Sequence, residues 1–83
     1  MKAVLSKSAE KYLQRLNEPT LSRVHKALAD LEKDPPQGDI KKMEGRGINR
    51  YRLRMGKYRA LFKIEDNRIF ITSIDSRGQA YKE

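Results

Sequence analysis

The chain has no cysteine, no tryptophan and a single histidine in 83 residues. Without cysteine there can be no disulfide framework, no thiolate nucleophile and no thiolate metal site, so a small domain has to hold together by packing alone. The lone His25 excludes a His–His metal pair and a two-histidine ribonuclease mechanism. No apolar run approaches the roughly 18–20 residues of a membrane-spanning helix. The opening Met1-Lys2-Ala3-Val4-Leu5, followed by Ser6 and Lys7, lacks the continuous apolar stretch of a secretory signal. These absences set the expectation of a cytoplasmic protein with no membrane partner. At this length the whole of residues 1–83 reads as one domain with a small core.

What the sequence does have is charge. Nineteen Lys and Arg against eleven Asp and Glu give a net charge of +8, which points to an anionic partner such as nucleic acid or an acidic protein. The excess is not spread evenly. Residues 1–40 carry seven basic and six acidic side chains, whereas residues 41–83 carry twelve and five. An anion-binding surface is therefore expected in the second half.

Periodicity divides the chain into short elements. Lys2 to Leu5 reads as a brief strand, with Ser6 as the N-cap of a helix whose apolar stripe is Ala9, Tyr12, Leu13 and Leu16. Asn17-Glu18-Pro19 interrupts it, and Pro19 suits the first turn of a second helix carrying Leu21, Val24, Leu28 and Leu31 until Asp34-Pro35-Pro36. Residues 35–47 read as a connecting loop, with Ile40 and Met43 able to pin it to the core. From Ile48 the pattern changes to alternation. Strands are expected over 48–55, 58–64 and 68–74, joined at Gly56-Lys57 and Asp66-Asn67. The order β-α-α-β-β-β makes an α+β domain, with an N-terminal helical hairpin packed on one face of a small antiparallel sheet.

A two-residue turn at Gly56-Lys57 sets Met55 opposite Tyr58, Leu53 opposite Ala60 and Tyr51 opposite Phe62, all on one face. The other face then gathers Arg50, Arg52, Arg54, Arg59 and Lys63, with Leu61, Phe70 and Ile74 falling beside them. Between Ile48 and Lys63 there is no acidic residue. Like charges facing one another on a sheet oppose folding, and a phosphate backbone would relieve them. Solvent-facing Lys and Arg that guard a sheet against edge pairing are the other explanation of such a strip, against which stands the segregation of charge, since the helix exteriors mix both signs. His25 reads as a boundary residue, and Tyr12 and the three methionines as core or boundary filler. Tyr81 either stacks on a base near the arginines or packs down the chain end.

The run Tyr51-Arg52-Leu53-Arg54-Met55-Gly56-Lys57-Tyr58-Arg59 resembles the RelE family of toxins from toxin–antitoxin systems. Ile40-Lys41-Lys42-Met43-Glu44-Gly45 upstream and Asp75-Ser76-Arg77-Gly78-Gln79-Ala80-Tyr81 downstream are similar to the family's flanking segments, so the likeness spans essentially the whole chain. It implies a RelE-like fold of the microbial-ribonuclease kind, and a ribosome-dependent endoribonuclease that cuts mRNA in the decoding site and inhibits translation. No cofactor and no metal are implied. The implied partners are the ribosome, its mRNA and an acidic cognate antitoxin, with the toxin monomeric alone and hetero-oligomeric in that complex. The implied catalytic set is Arg52, Arg54, Arg59, Arg77 and Tyr81. RNA contacts are expected from Lys41, Lys42, Arg46, Arg50, Lys57 and Lys63. Arg52 and Arg54 stand where several members have Lys, and arginine keeps its proton, so these side chains read as phosphate clamps and no general base is assigned. Two other readings stay open: a ParE-like inhibitor of DNA gyrase, and a catalytically silent RNA-binding member.

Overall fold

The computed structural model describes residues 1–43 and 49–76, and each element begins where the local chemistry allows it. β1 (Lys2–Leu5) leads into Ser6, whose extended backbone and Oγ, accepting the Ala9 N–H at 3.1 Å, start α1 (Lys7–Gln14). α2 (Thr20–Leu31) has Pro19 at its N-cap, which offers no side-chain acceptor. The Glu18 carboxylate takes its place, accepting the Ser22 N–H at 3.1 Å and the Ser22 hydroxyl at 2.6 Å. The remaining strands are β2 (Asp39–Lys42), β3 (Arg50–Met55), β4 (Tyr58–Glu65) and β5 (Arg68–Ser76).

The five strands form one sheet in the order β1-β5-β4-β3-β2, antiparallel except for the parallel pair β1–β5. Both helices lie on one face. Ala9, Leu13, Val24, Leu28 and Leu31 pack there against Leu53, Ala60, Phe62, Ile69, Ile71 and Ile74, and Tyr51 stacks on Phe62 with ring centroids 5.3 Å apart. Each element has a single apolar side, so neither layer is stable without the other. The turns use left-handed backbone where they need it: Gly56 has φ +67, and Asp66 and Asn67 have φ +51 and +58.

The α+β architecture and the β3–β4 register match the sequence expectation, including Met55 opposite Tyr58, Leu53 opposite Ala60 and Tyr51 opposite Phe62. Four details differ. Residues 39–42, expected within a loop, form strand β2 on β3; with only Ile40 turned toward the core, this strand has almost no alternation to show in the sequence. The sheet is not wholly antiparallel, because the chain leaves β1 through both helices and returns alongside it. Met43 does not help to pin the core, since it follows Asp39 and Lys41 onto the opposite face.

The fourth difference is Ile74, which lies in the core and not among the arginines. A bulge between Leu61 and Phe62 inserts Thr72 as an extra residue of β5, so Ile71 pairs with Phe62 while Ser73 pairs with Leu61. Beyond Thr72 the two faces of β5 exchange. Ile69, Ile71 and Ile74 are thereby all buried, and Asp75 is brought beside Arg59. The bulge is held from two sides. Ser6 Oγ donates to the Thr72 carbonyl at 2.9 Å, and Thr72 Oγ1 donates to the Leu61 carbonyl at 3.1 Å.

Candidate nucleic-acid interface

Alternation places Arg50, Arg52 and Arg54 of β3 on the sheet face away from the helices, together with Arg59, Leu61 and Lys63 of β4. Read across the strands, this face has rows about 7 Å apart. One row runs Asp39, Arg54, Arg59, Asp75 from β2 to β5, so two adjacent arginines are flanked by a carboxylate at either end. The next row is Lys41, Arg52, Leu61, Ser73, and the third sets Arg50 beside Lys63 and Phe70.

The expected residues do not share one environment. Arg59 is only 1% exposed and Arg52 only 7%, whereas Arg54 and Arg50 are open to solvent. Arg59 therefore sits as a buried, central cation, with Arg54 as its exposed neighbour. Lys41 joins the face next to Arg52, but Lys42 pairs with Tyr51 and turns to the helix side. Lys57 stands at the hairpin turn with its ammonium 5.9 Å from the Tyr58 ring, which is also on the helix side. Lys63 lies over the Phe70 ring at 5.8 Å and approaches Glu65 at 3.7 Å. His25 is exposed on α2, far from this face. Arg46, Arg77 and Tyr81 lie outside the described residues.

Sequence reasoning missed Asp39. Its Oδ2 accepts from Arg54 Nε at 2.9 Å, and its Oδ1 lies 3.7 Å from Arg52 Nη2, so one carboxylate aims two of the expected clamps. The hydrogen bond from Arg54 holds the Asp39 carboxyl below its ordinary value; desolvation opposes this, and the charges of Arg54 and Arg52 add to it. Such a carboxylate is a weak base and serves to position the arginines. The only signal in the sequence was an acid directly before Ile40-Lys41-Lys42, which means little until β2 is known to lie beside Arg52 and Arg54.

Two tests address this corner. A carboxyl whose pKa is lower folded than unfolded stabilises the fold fully above about pH 3.9, and the stabilisation disappears as pH falls through the folded value. Asp39→Asn is therefore expected to lower the urea midpoint slightly at neutral pH and to make its decline below about pH 4 shallower. A midpoint curve parallel to that of the unmodified chain would show that Asp39 has no such linkage. Asp30, held low by hydrogen bonds from Lys33 and Lys26, adds acid dependence of the same kind. Gly38, just before Asp39, has φ +137, and a Cβ there would stand 2.7 Å from Leu53 Cδ1. Gly38→Ala is expected to cost about 1–3 kcal/mol in chemical denaturation, since both backbone and core must shift.

The far end of β5 is braced from the helix layer. Tyr12 meets Tyr58 edge to face at 6.4 Å, and Arg15 lies 5.6 Å from the Tyr12 ring. Burial raises the Tyr12 hydroxyl above its ordinary pKa and the charge of Asp75 adds to this, while Arg15 and a hydrogen bond with the Ser76 backbone work against it. A residue that reads in the sequence as boundary filler thus anchors the strand on which Asp75 sits.

Comparison with known proteins bears on what this face belongs to. The family model for the ParE toxin of the type II toxin–antitoxin system parDE matches residues 3–81. No curated protein gives a match. Among solved structures, the archaeal RelE–RelB complex from Pyrococcus horikoshii OT3 is 30% identical, with 94% of this chain and 96% of that one covered and a TM-score of 0.78. The RelB–RelE complex from Methanococcus jannaschii is 22% identical over 94% of both chains, with a TM-score of 0.77. The isolated RelE toxin of E. coli is 18% identical, covering 90% of this chain and 82% of that one at a TM-score of 0.75. The last two show a shared fold. The family match over nearly the whole length and the Pyrococcus likeness establish that this chain belongs to the RelE/ParE superfamily as a RelE-family toxin of a toxin–antitoxin pair.

Proposed function

We propose that this chain is a metal-independent, ribosome-dependent endoribonuclease that cleaves mRNA in the decoding site and so stops translation in the cytoplasm. The observation that carries the reading is the row Asp39, Arg54, Arg59, Asp75, in which two arginines stand side by side across β3 and β4 on a basic face of a RelE-family toxin. In the reaction the 2′-oxygen of a ribose attacks the adjacent phosphorus, the bond to the 5′-oxygen breaks, and negative charge accumulates on the phosphate oxygens. Arg59 and Arg54 are suited to hold those oxygens through charge-assisted hydrogen bonds, with Arg52 alongside. Being permanently protonated, they do not remove the 2′ proton. That proton is proposed to pass to a group on the ribosome while the leaving 5′-oxygen takes one up from solvent, with Arg77 stabilising that oxygen by its charge and Tyr81 stacking on the flanking base.

The Pyrococcus neighbour is a complex of RelE with RelB. By the same logic this chain, with its net charge of +8, is proposed to be silenced by an acidic cognate antitoxin in a hetero-oligomer. One observation favours a second reading, a ParE-like inhibitor of DNA gyrase: the matching family model is that of the ParE toxin.

The deciding experiment adds purified protein to a reconstituted translation reaction, maps mRNA 5′ ends by primer extension, and runs a gyrase supercoiling assay in parallel. New ends within codons, present only with ribosomes, are the expected result. Intact mRNA with inhibited gyrase would transfer the chain to the ParE activity, and no effect in either assay would leave an RNA-binding protein.

A further inference from the structure

We infer that the cleft beside the arginines is a subsite for one unpaired nucleobase of single-stranded RNA, next to the nucleotide whose phosphate Arg54 and Arg59 hold. This inference rests on the proposed RNA reading and adds a base-recognition element to it. The cleft has a volume of about 290 Å³ and is lined by Met43, Arg50, Tyr51, Leu61, Phe62 and Thr72. It lies on the sheet face away from the helices. Leu61 is in register with Arg52 and two residues along β4 from Arg59, so the cleft begins one row, about 7 Å, from the proposed phosphate site.

Its lining has the mixed chemistry that a base requires. Leu61 and Met43 offer apolar, polarisable surface to an aromatic face, and Met adapts its shape to whichever base is present. Arg50 offers a planar guanidinium that can stack on a base or donate to its edge. Thr72 Oγ1 already gives its proton to the Leu61 carbonyl, so toward the cleft it offers acceptor lone pairs for an exocyclic amino group. This polar edge exists because of the bulge, since Thr72 is the inserted residue.

Charge identifies the occupant. Arg52 and Lys41 flank the cleft on one side and Lys63 on the other, and among the described residues its lining holds no acid. A base is the one group that brings an aromatic face while its own flanking phosphates meet those cations. An acidic peptide side chain would use Arg50 and leave Leu61 and Met43 uncovered. A second copy of this chain would set like charge against like. The larger cleft between α2 and the β3–β4 turn, lined by Val24, Ala27, Met55 and Tyr58, is on the helix side and does not adjoin the arginines.

The test uses a fully 2′-O-methylated RNA hexamer, in which the attacking oxygen is blocked, and a series of the same hexamers with one abasic residue moved along the strand. Affinity is read by fluorescence anisotropy at one fixed salt concentration. At one position, the abasic residue is expected to weaken binding to the unmodified chain by about 5- to 100-fold, the range for loss of one stacked base. Leu61→Ala is expected to weaken binding of the intact hexamer by a similar factor and to show no further loss with that abasic hexamer. Leu61→Met is expected to restore most of the affinity, which separates the subsite from a general effect on folding. Equal losses at every abasic position, or losses that simply add to that of Leu61→Ala, would overturn the inference. So would a Leu61→Ala variant that binds RNA normally and loses only antitoxin binding. Because no cleavage is measured, a positive result stands even if the translation assay shows no ribonuclease.

Discussion

Arg59→Ala is expected to reduce mRNA cleavage in a reconstituted translation reaction by about 100- to 1000-fold, the loss typical of removing one fixed donor to a developing oxyanion. The magnitude follows from burial. Arg59 is held in the centre of the sheet between Arg54 and Asp75 and is only 1% exposed, so its charge is poorly screened by water and is expected to act strongly on a phosphate once the guanidinium is uncovered. Arg54→Ala is expected to cost less, because an exposed guanidinium tethered to Asp39 gives up part of its binding energy in leaving that carboxylate. Arg59→Lys keeps the charge and loses the planar fork, so its rate should fall between the other two. Removing Arg59 relieves its like-charge pairing with Arg54 but empties a large buried side-chain volume beside Asp75, so the cleavage loss is read only on protein whose far-UV circular dichroism matches that of the unmodified chain. Undiminished cleavage by a folded Arg59→Ala protein would remove this row from the reaction.

Phe62→Ala is expected to have the largest effect on stability, a loss of about 3–5 kcal/mol in urea or thermal denaturation. Phe62 is 2% exposed and stacks on Tyr51, and it forms the pair with Ile71 at which the β4–β5 register steps over the bulge. Small domains commonly have only about 5–15 kcal/mol of stability in total, so the variant should sit close to unfolding at physiological temperature. Phe62→Leu, which keeps most of the volume, should retain more than half of what the alanine variant loses. A loss below about 1 kcal/mol for Phe62→Ala would mean that the two layers are held together elsewhere.

The parts of the fold that the sequence reveals are those where hydrophobic period and turn chemistry agree. The run from Arg50 to Lys63 alternates cleanly about Gly56-Lys57, and its register can be read residue by residue. β2 is illegible for a physical reason: it is four residues long, one of them turned to the core, and it is recruited by the free edge of β3 more than by its own preference. The bulge is equally hidden. Nothing local in Ile71-Thr72-Ser73 signals an inserted residue, because what holds it is Ser6, 66 positions away. The candidate site divides in the same way. The arginines announce themselves by composition and spacing, whereas Asp39, Asp75, Met43 and Thr72 acquire their meaning only from strands that meet across the sheet.

The parallel pairing of β1 with β5 also bears on time. The hairpin that carries Arg52, Arg54 and Arg59 spans fewer than twenty residues and can close as soon as it is made, but β1 finds its partner only once residues 68–71 exist. Long-range closure of this kind is the slow step in sheets. The N-cap of α1 leans on the same late strand through Thr72, so the helix layer settles late as well. On refolding, the arginines are therefore expected to come together before the layer that fixes them, with the basic hairpin formed while the sheet is still open.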